Sequence, residues 1–153
     1  MHRDYNEIGT VSYEEVVQVM HKLGINRVEN EQFFRRMVFN VMARNQDDHI
    51  KNISFLMNRR GEWSLSPAYD ITYSFNPNGK WTAVHQMLIN WKVTNININD
   101  LIQSAHAMHI KESNALTIID EVRKTLKKWP KFAEEANLGN KTIKSLEKTF
   151  LLL

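Results

Sequence analysis

The sequence predicts a mainly α-helical chain with one small β-hairpin. Three observations carry this. Apolar residues recur at spacings of three and four along most of the chain. A single stretch in the middle, Ile53 to Leu65, reads instead as two short strands around Asn58-Arg59-Arg60-Gly61. There is no internal repeat or low-complexity run, so the elements belong to one globular unit, taken as residues 1–153.

The first helix is signalled by Ser12, which can accept from the amide three residues on, while Glu15 reaches back. Val16, Val19, Met20 and Leu23 follow at helical spacing, and Gly24 ends the helix. A second helix is expected from near Asn30. Its stripe of Phe33, Phe34, Met37, Val38, Val41 and Met42 is wide enough for deep burial. Residues 45–52 are polar and read as a loop. Ile53–Met57 and Trp63–Leu65 form the hairpin, Pro67 interrupts, and Asn76-Pro77-Asn78-Gly79 makes another turn. Asn99 is expected to cap a helix over Asp100–Met108. Another helix spans Ser113–Trp129 with Pro130 as its stop, and a last one spans Lys141–Leu152.

Composition narrows the function classes. Hydrophobic residues make up 42% and charged residues 24%, so the chain can build a core and is not of disordered type. Cys is absent, which excludes a disulfide framework, a thiolate metal site and a Cys nucleophile. No apolar run approaches the roughly 20 residues that span a bilayer. Met1–Thr10 is polar and unlike a secretion signal, so a cytoplasmic protein without membrane contact is expected. The 20 Lys and Arg against 17 Asp and Glu leave a net charge of only +3. The basic residues are scattered on what read as solvated faces, and no direct nucleic-acid contact is expected.

The chemistry concentrates in Asp47, Asp48, His49 and Asn52, with Asp70 beyond the hairpin. Phosphoryl transfer needs a carboxylate to orient a hydroxyl and oxygen ligands for Mg²⁺ on the nucleotide phosphates. An Asp, four residues, an Asn and then a second Asp past a short hairpin is how protein kinases supply them, and Asp47, Asn52 and Asp70 fit that order. On spacing alone other readings stand beside it. Asp47 and Asp48 can cap a turn, His49 can be a hydrogen-bonded loop residue, and Asp70 can be an ordinary turn residue. Asp47, Asp48, His49 and Asp70 can also be read as a metallohydrolase site. His106 and His109 sit three apart, as metal ligands can, but packing or solvation is the plainer reading. Met37, Met42, Met57 and Met87 read as core filling, and Trp63, Trp81 and Trp91 as core anchors near the site.

Residues 34–74, with N-x-D-D-H-x-K-N at Asn45–Asn52 and L-x-P-A-Y-D at Leu65–Asp70, resemble the C-terminal lobe of HipA-like serine/threonine kinases, the toxins of HipBA-type toxin–antitoxin modules. The flanks DYNEIGTVSYEEV, HQMLIN and NDLIQSAHAMHI resemble the family too. The resemblance implies the helical C-lobe of a protein-kinase-like fold, with Mg²⁺ and ATP as cofactors. It implies Asp47 as the residue that orients the substrate hydroxyl, and Asn52 and Asp70 as metal ligands. His49 and Lys51 fall at motif positions, His49 as a loop brace and Lys51 as a phosphate contact or a solvated cation. The implied partners are a HipB-like DNA-binding antitoxin and a translation-related protein substrate such as an aminoacyl-tRNA synthetase.

Such kinases also use an N-terminal lobe with a glycine-rich phosphate loop. The five Gly here are isolated, and only four residues precede Tyr5, so the sequence reads as a C-lobe without its nucleotide-covering half. That leaves two expectations: the catalytic half of a kinase toxin, or an inactive partial lobe that serves as an interaction module for an antitoxin or a separate N-lobe. One further departure is Leu88-Ile89-Asn90-Trp91, where family members often carry a Gly-containing stretch.

Overall fold

The computed structural model describes residues 7–153. Residues 1–6 of the polar N-terminal stretch lie outside the described residues. The described chain is mainly helical, with a small antiparallel hairpin. Its elements run α1 (Tyr13–Lys22), α2 (Arg27–Met42), a 3₁₀ turn (Ile50–Asn52), β1 (Phe55–Met57), β2 (Trp63–Leu65), α3 (Ile98–Ala107), α4 (Glu112–Leu126), α5 (Trp129–Glu135) and α6 (Asn140–Glu147). No helix among the described residues is long and apolar enough to cross a membrane.

The α1 start follows its sequence signal. Ser12 Oγ accepts from the Glu15 amide at 3.0 Å, and Glu15 accepts from the Ser12 amide at 2.8 Å. Helix α2 begins three residues earlier than expected, because Asn26 accepts from the Glu29 amide at 3.1 Å and caps the helix there. Asn30 is instead a buried residue of α2, 2.7 Å from His21 Nε2. The stripe from Phe33 to Met42 is fully buried and forms the centre of the core. At roughly 1.5–3 kcal/mol per buried apolar side chain, it outweighs the contribution of any one cap, about 1 kcal/mol. Helix α4 packs along α2, and α3 packs against α4 and α1.

The hairpin pairs Phe55 with Leu65, Leu56 with Ser64 and Met57 with Trp63. Gly61, at φ 80°, supplies the left-handed turn residue, and its amide donates to the Asn58 carbonyl at 3.0 Å. Helix α3 is capped by Asn97 rather than Asn99. Asn97 Oδ1 accepts from the Asp100 amide, and Asp100 accepts from the Asn97 amide, a reciprocal pair that Asn99 cannot make. Pro130 does not stop a helix: it sits in the first turn of α5, where no intrahelical donor is lost. The last helix ends at Glu147, a turn follows through Thr149, and the final residues are bonded to α2 and α4 as a tail without regular structure.

Burial corrects two further readings. Met37, Met42 and Met87 fill the core, but Met57 faces out on the hairpin. The three tryptophans are not core anchors: Trp63, Trp81 and Trp91 are all exposed, Trp91 to 84%.

Trp91 owes its exposure to a tight turn. Asn90 and Trp91 have φ values of 46° and 63°, and Ile89 and Lys92 bond to each other across them. Both central residues are left-handed, as in a type I′ turn that glycine would fill at no steric cost. The turn is fastened through Asp100. That buried carboxylate accepts from Asn90 Nδ2 at 2.9 Å and meets Lys92 Nζ at 2.8 Å. Burial works against its charge, but the hydrogen bonds from Lys92, Asn90 and the Asn97 amide outweigh burial and hold its pKa below the ordinary value.

Two outcomes follow. Trp91→Gly should raise stability by about 0.5–1 kcal/mol, read as a higher urea midpoint, because the exposed indole has little burial to lose and the left-handed backbone is relieved. Because its folded pKa is depressed, Asp100 contributes stability that is present above its unfolded pKa of about 3.9 and lost as pH falls through the folded value. Thermal unfolding at pH 3 and pH 6 should therefore show a smaller acid-induced drop for Asp100→Asn than for the unaltered chain.

Candidate functional site

The site grows from the C-terminal end of α2. Arg44 stands just past the helix at φ 62°, and the Asn45 amide returns to the Asn40 carbonyl at 2.9 Å. This left-handed stop usually takes Gly; an Arg there costs about 1 kcal/mol. Its guanidinium lies 4.5 Å from the centre of the Phe75 ring, and its Nε donates to the Thr149 carbonyl at 2.9 Å. Burial lowers the Arg44 pKa from its ordinary value.

Asn45 is the hub between the two chain segments of the site. Its Nδ2 donates to Asn40 Oδ1 at 3.0 Å and to the Asp70 carbonyl at 3.4 Å. Its Oδ1 accepts from Ser74 Oγ at 3.0 Å, and the same Ser74 oxygen accepts from the Asp47 amide at 3.0 Å. Ser74 thus holds the loop carrying Asp47 against the segment that follows Asp70.

The two adjacent aspartates take opposite environments. Asp48 is buried and accepts three hydrogen bonds, from the Tyr13 hydroxyl at 2.8 Å, His85 Nδ1 at 2.9 Å and the Gln86 amide at 2.8 Å. Asn40 Nδ2 donates in turn to the Tyr13 oxygen at 2.9 Å. Burial, and after it the charge of Asp48, pushes the Tyr13 phenol well above its ordinary pKa, so it remains a donor. Asp47 is only half-buried, and its carboxylate has no hydrogen bond or ion pair among the described residues.

Beyond them the chain makes the 3₁₀ turn. The Asn52 amide donates to the His49 carbonyl, and Asn52 Nδ2 donates to the Asp47 carbonyl, each at 3.0 Å. That bond orients the Asn52 amide, whose Oδ1 accepts no hydrogen bond among the described residues. The Tyr69 hydroxyl donates to the Lys51 carbonyl at 2.7 Å, so Tyr69 braces the backbone before Asp70. Arg36 Nη2 donates to the Ser66 carbonyl at 2.5 Å and ties the hairpin exit to α2. Asp70 itself is exposed, with φ 53°. Aspartate tolerates that left-handed region better than most residues.

His49, Asn52 and Asp70 line one narrow crevice, together with Tyr13, Asn40, Asn45 and Asp48. Asp47 is joined to it through the bond from Asn52 to its carbonyl. Lys51 is exposed on the 3₁₀ turn. Of the residues singled out in sequence, Asn52 and Asp70 therefore share a crevice, Asp47 adjoins it, and Lys51 stands at the surface.

The family model of the HipA-like C-terminal domain matches residues 1–129. The chain belongs to this family. No curated protein sequence matches it. Within this HipA-like domain the metallohydrolase arrangement does not form. No three His, Asp or Glu side chains gather as a metal cluster among the described residues, and the Asp48 carboxylate is spent on three protein donors. His106 and His109 also part company: His106 lies 3.5 Å from Glu112, while the His109 ring lies against His21.

Sequence reasoning missed Asn45, Ser74, Tyr13 and His85, because attention went to ionisable residues at catalytic spacing. Asn45 opens the N-x-D-D-H-x-K-N run, and His85 opens HQMLIN, so both stood inside stretches already singled out. Nothing in the spacing of Tyr13 or Ser74 marks them.

The contrast between the acids is measurable. Asp48→Ala leaves three buried donors unmatched and should cost about 3–5 kcal/mol, seen as a collapse of the thermal midpoint. Asp47→Ala and Asp70→Asn should stay within about 0.5 kcal/mol of the unaltered chain in the same melt.

Proposed function

We propose that this HipA-like domain is the metal-holding, hydroxyl-orienting lobe of a protein serine/threonine kinase that uses Mg²⁺ and ATP. The observation that supports this best is the joint placement of Asn52 and Asp70 on one crevice, with Asn52 bonded to the backbone of Asp47. One carboxylate and one amide oxygen suit a hard cation that takes its other ligands from phosphates and water. Bound Mg²⁺ neutralises charge on the β- and γ-phosphates. In this reading Asn52 Oδ1 and the Asp70 carboxylate hold the metal, and Asp47, whose carboxylate is unengaged, orients the hydroxyl of a target Ser or Thr. His49 opens the 3₁₀ turn and braces the loop, and Lys51 stands where a phosphate can meet it. The family suggests a HipB-type antitoxin in general as partner; in this reading the target is a translation-related protein such as an aminoacyl-tRNA synthetase and the setting is cytoplasmic.

A second reading is favoured by the surface. Leu56, Met57 and Trp63 of the hairpin are exposed. Nearby, a groove of about 210 Å³ is lined by the apolar Val11, Val16, Val19, Ile50, Ile53 and Phe55 together with Glu15. Exposed apolar surface of this kind marks an interaction face. The domain would then be inactive alone and dock a nucleotide-covering lobe or an antitoxin there.

Isothermal titration with ATP and Mg²⁺ separates the two. The kinase reading expects saturable, Mg²⁺-dependent binding that weakens about tenfold, some 1.4 kcal/mol, in Asp70→Asn. Equal affinity in both proteins would remove Asp70 from the metal, and no binding in either would favour the docking module.

A further inference from the structure

We propose that Arg44 is a positioning residue through which the C-terminal tail, residues 149–153, sets the loop that carries Asp47 and Asn52. The functional consequence rests on the kinase-type reading; the structural coupling does not. The tail is fastened at three points. The Leu151 amide donates to the Met42 carbonyl at 2.9 Å, one of the last carbonyls of α2 that no helical partner can satisfy. Arg44 Nε donates to the Thr149 carbonyl at 2.9 Å, and Arg123 Nε of α4 donates to the Leu153 carbonyl at 2.6 Å. Phe150, Leu151 and Leu153 pack on the core, and the Phe150 ring stands edge-on to Trp129.

From Arg44 the connection runs directly into the site. Its carbonyl accepts from the Ser74 amide at 3.2 Å, and its guanidinium covers Phe75, the next residue. Ser74 Oγ accepts from the Asp47 amide, and Asp47 accepts from Asn52 through its carbonyl. One arginine therefore contacts the tail, the segment after Asp70 and the start of the Asp47 loop. Its left-handed backbone is a position that Gly would fill more comfortably, so what the arginine adds is its side chain. The tail lies beyond the stretch matched by the family model, which ends at residue 129. It is thus a support for the loop supplied from outside the matched stretch.

The test uses Arg44→Gly, whose backbone is at ease at φ 62°, and a variant lacking residues 149–153. Amide hydrogen exchange is followed by NMR, with line broadening by Mn²⁺ and ATP at Asn52 and Asp70. Arg44→Gly should keep the exchange of α3 and α4 unchanged while amides in residues 45–52 and 70–75 exchange about tenfold faster, the factor that loss of one charge-assisted hydrogen bond supplies. The shortened chain should show the same acceleration in residues 45–52 and 70–75, with an added loss of protection in α4, where Arg123 loses the Leu153 carbonyl, and both variants should need more Mn²⁺ for equal broadening. Unchanged exchange of the loop in Arg44→Gly overturns the proposal. Faster loop exchange without any Mn²⁺ response in the unaltered chain upholds the coupling and counts against the kinase reading.

Discussion

A buried carboxylate must be matched by donors on every side, and in this protein that requirement falls on Asp48. Its three donors come from two segments far from it in sequence, Tyr13 of α1 and the adjacent His85 ring and Gln86 amide. None of them can leave without exposing an unmatched charge to the protein interior, which costs several kcal/mol. The bond network therefore pins the polar loop after α2 from its inner side. It also turns the neighbouring Asp47 towards the surface, since two adjacent carboxylates cannot both be satisfied in one small interior. His85 Nε2 is buried without a partner among the described residues, on the far side of the ring from Asp48.

A second set of bonds aligns the outer side. Asn45 and Ser74 use neutral amide and hydroxyl groups to hold the Asp47 loop against the segment following Asp70. Neutral bonds of this type are worth about 1 kcal/mol each, so several are needed, and they leave the nearby carboxylates free of competing cations. Backbone strain collects at the same place. Arg44 and Asp70 both adopt left-handed φ values where the chain turns into and out of the site. The core stripe of α2 and the pinning of Asp48 are what hold them there.

The elements legible in sequence were those decided within a few residues. The Ser12–Glu15 capping box needs only its own turn, and the Trp63–Leu65 strand is bounded by Gly61 and Pro67. Errors came where two local solutions competed. Asn97 and Asn99 both lie at the start of α3, and only Asn97 is three residues before Asp100, so the reciprocal bond made Asn97 the cap and left Asn99 within the helix. Pro130 can end one helix or begin the next, and the buried Ala133 together with the bond from Trp129 to the Ile143 carbonyl drew the chain into α5. The tryptophans misled because aromatic size predicts burial only on average. Trp91 sits at the tip of a turn whose shape is set by Asp100, and its ring has nowhere to pack.

By itself the sequence determined the helical class, the hairpin, the family and the order of Asp47, Asn52 and Asp70, because each is written in local periodicity or in a contiguous motif. The tertiary structure alone decided which acid is buried and which faces out. It also brought Asn52 and Asp70 to one crevice and placed the C-terminal tail under Arg44. Those outcomes depend on hydrogen bonds between residues tens of positions apart, and spacing along a chain carries no record of such bonds.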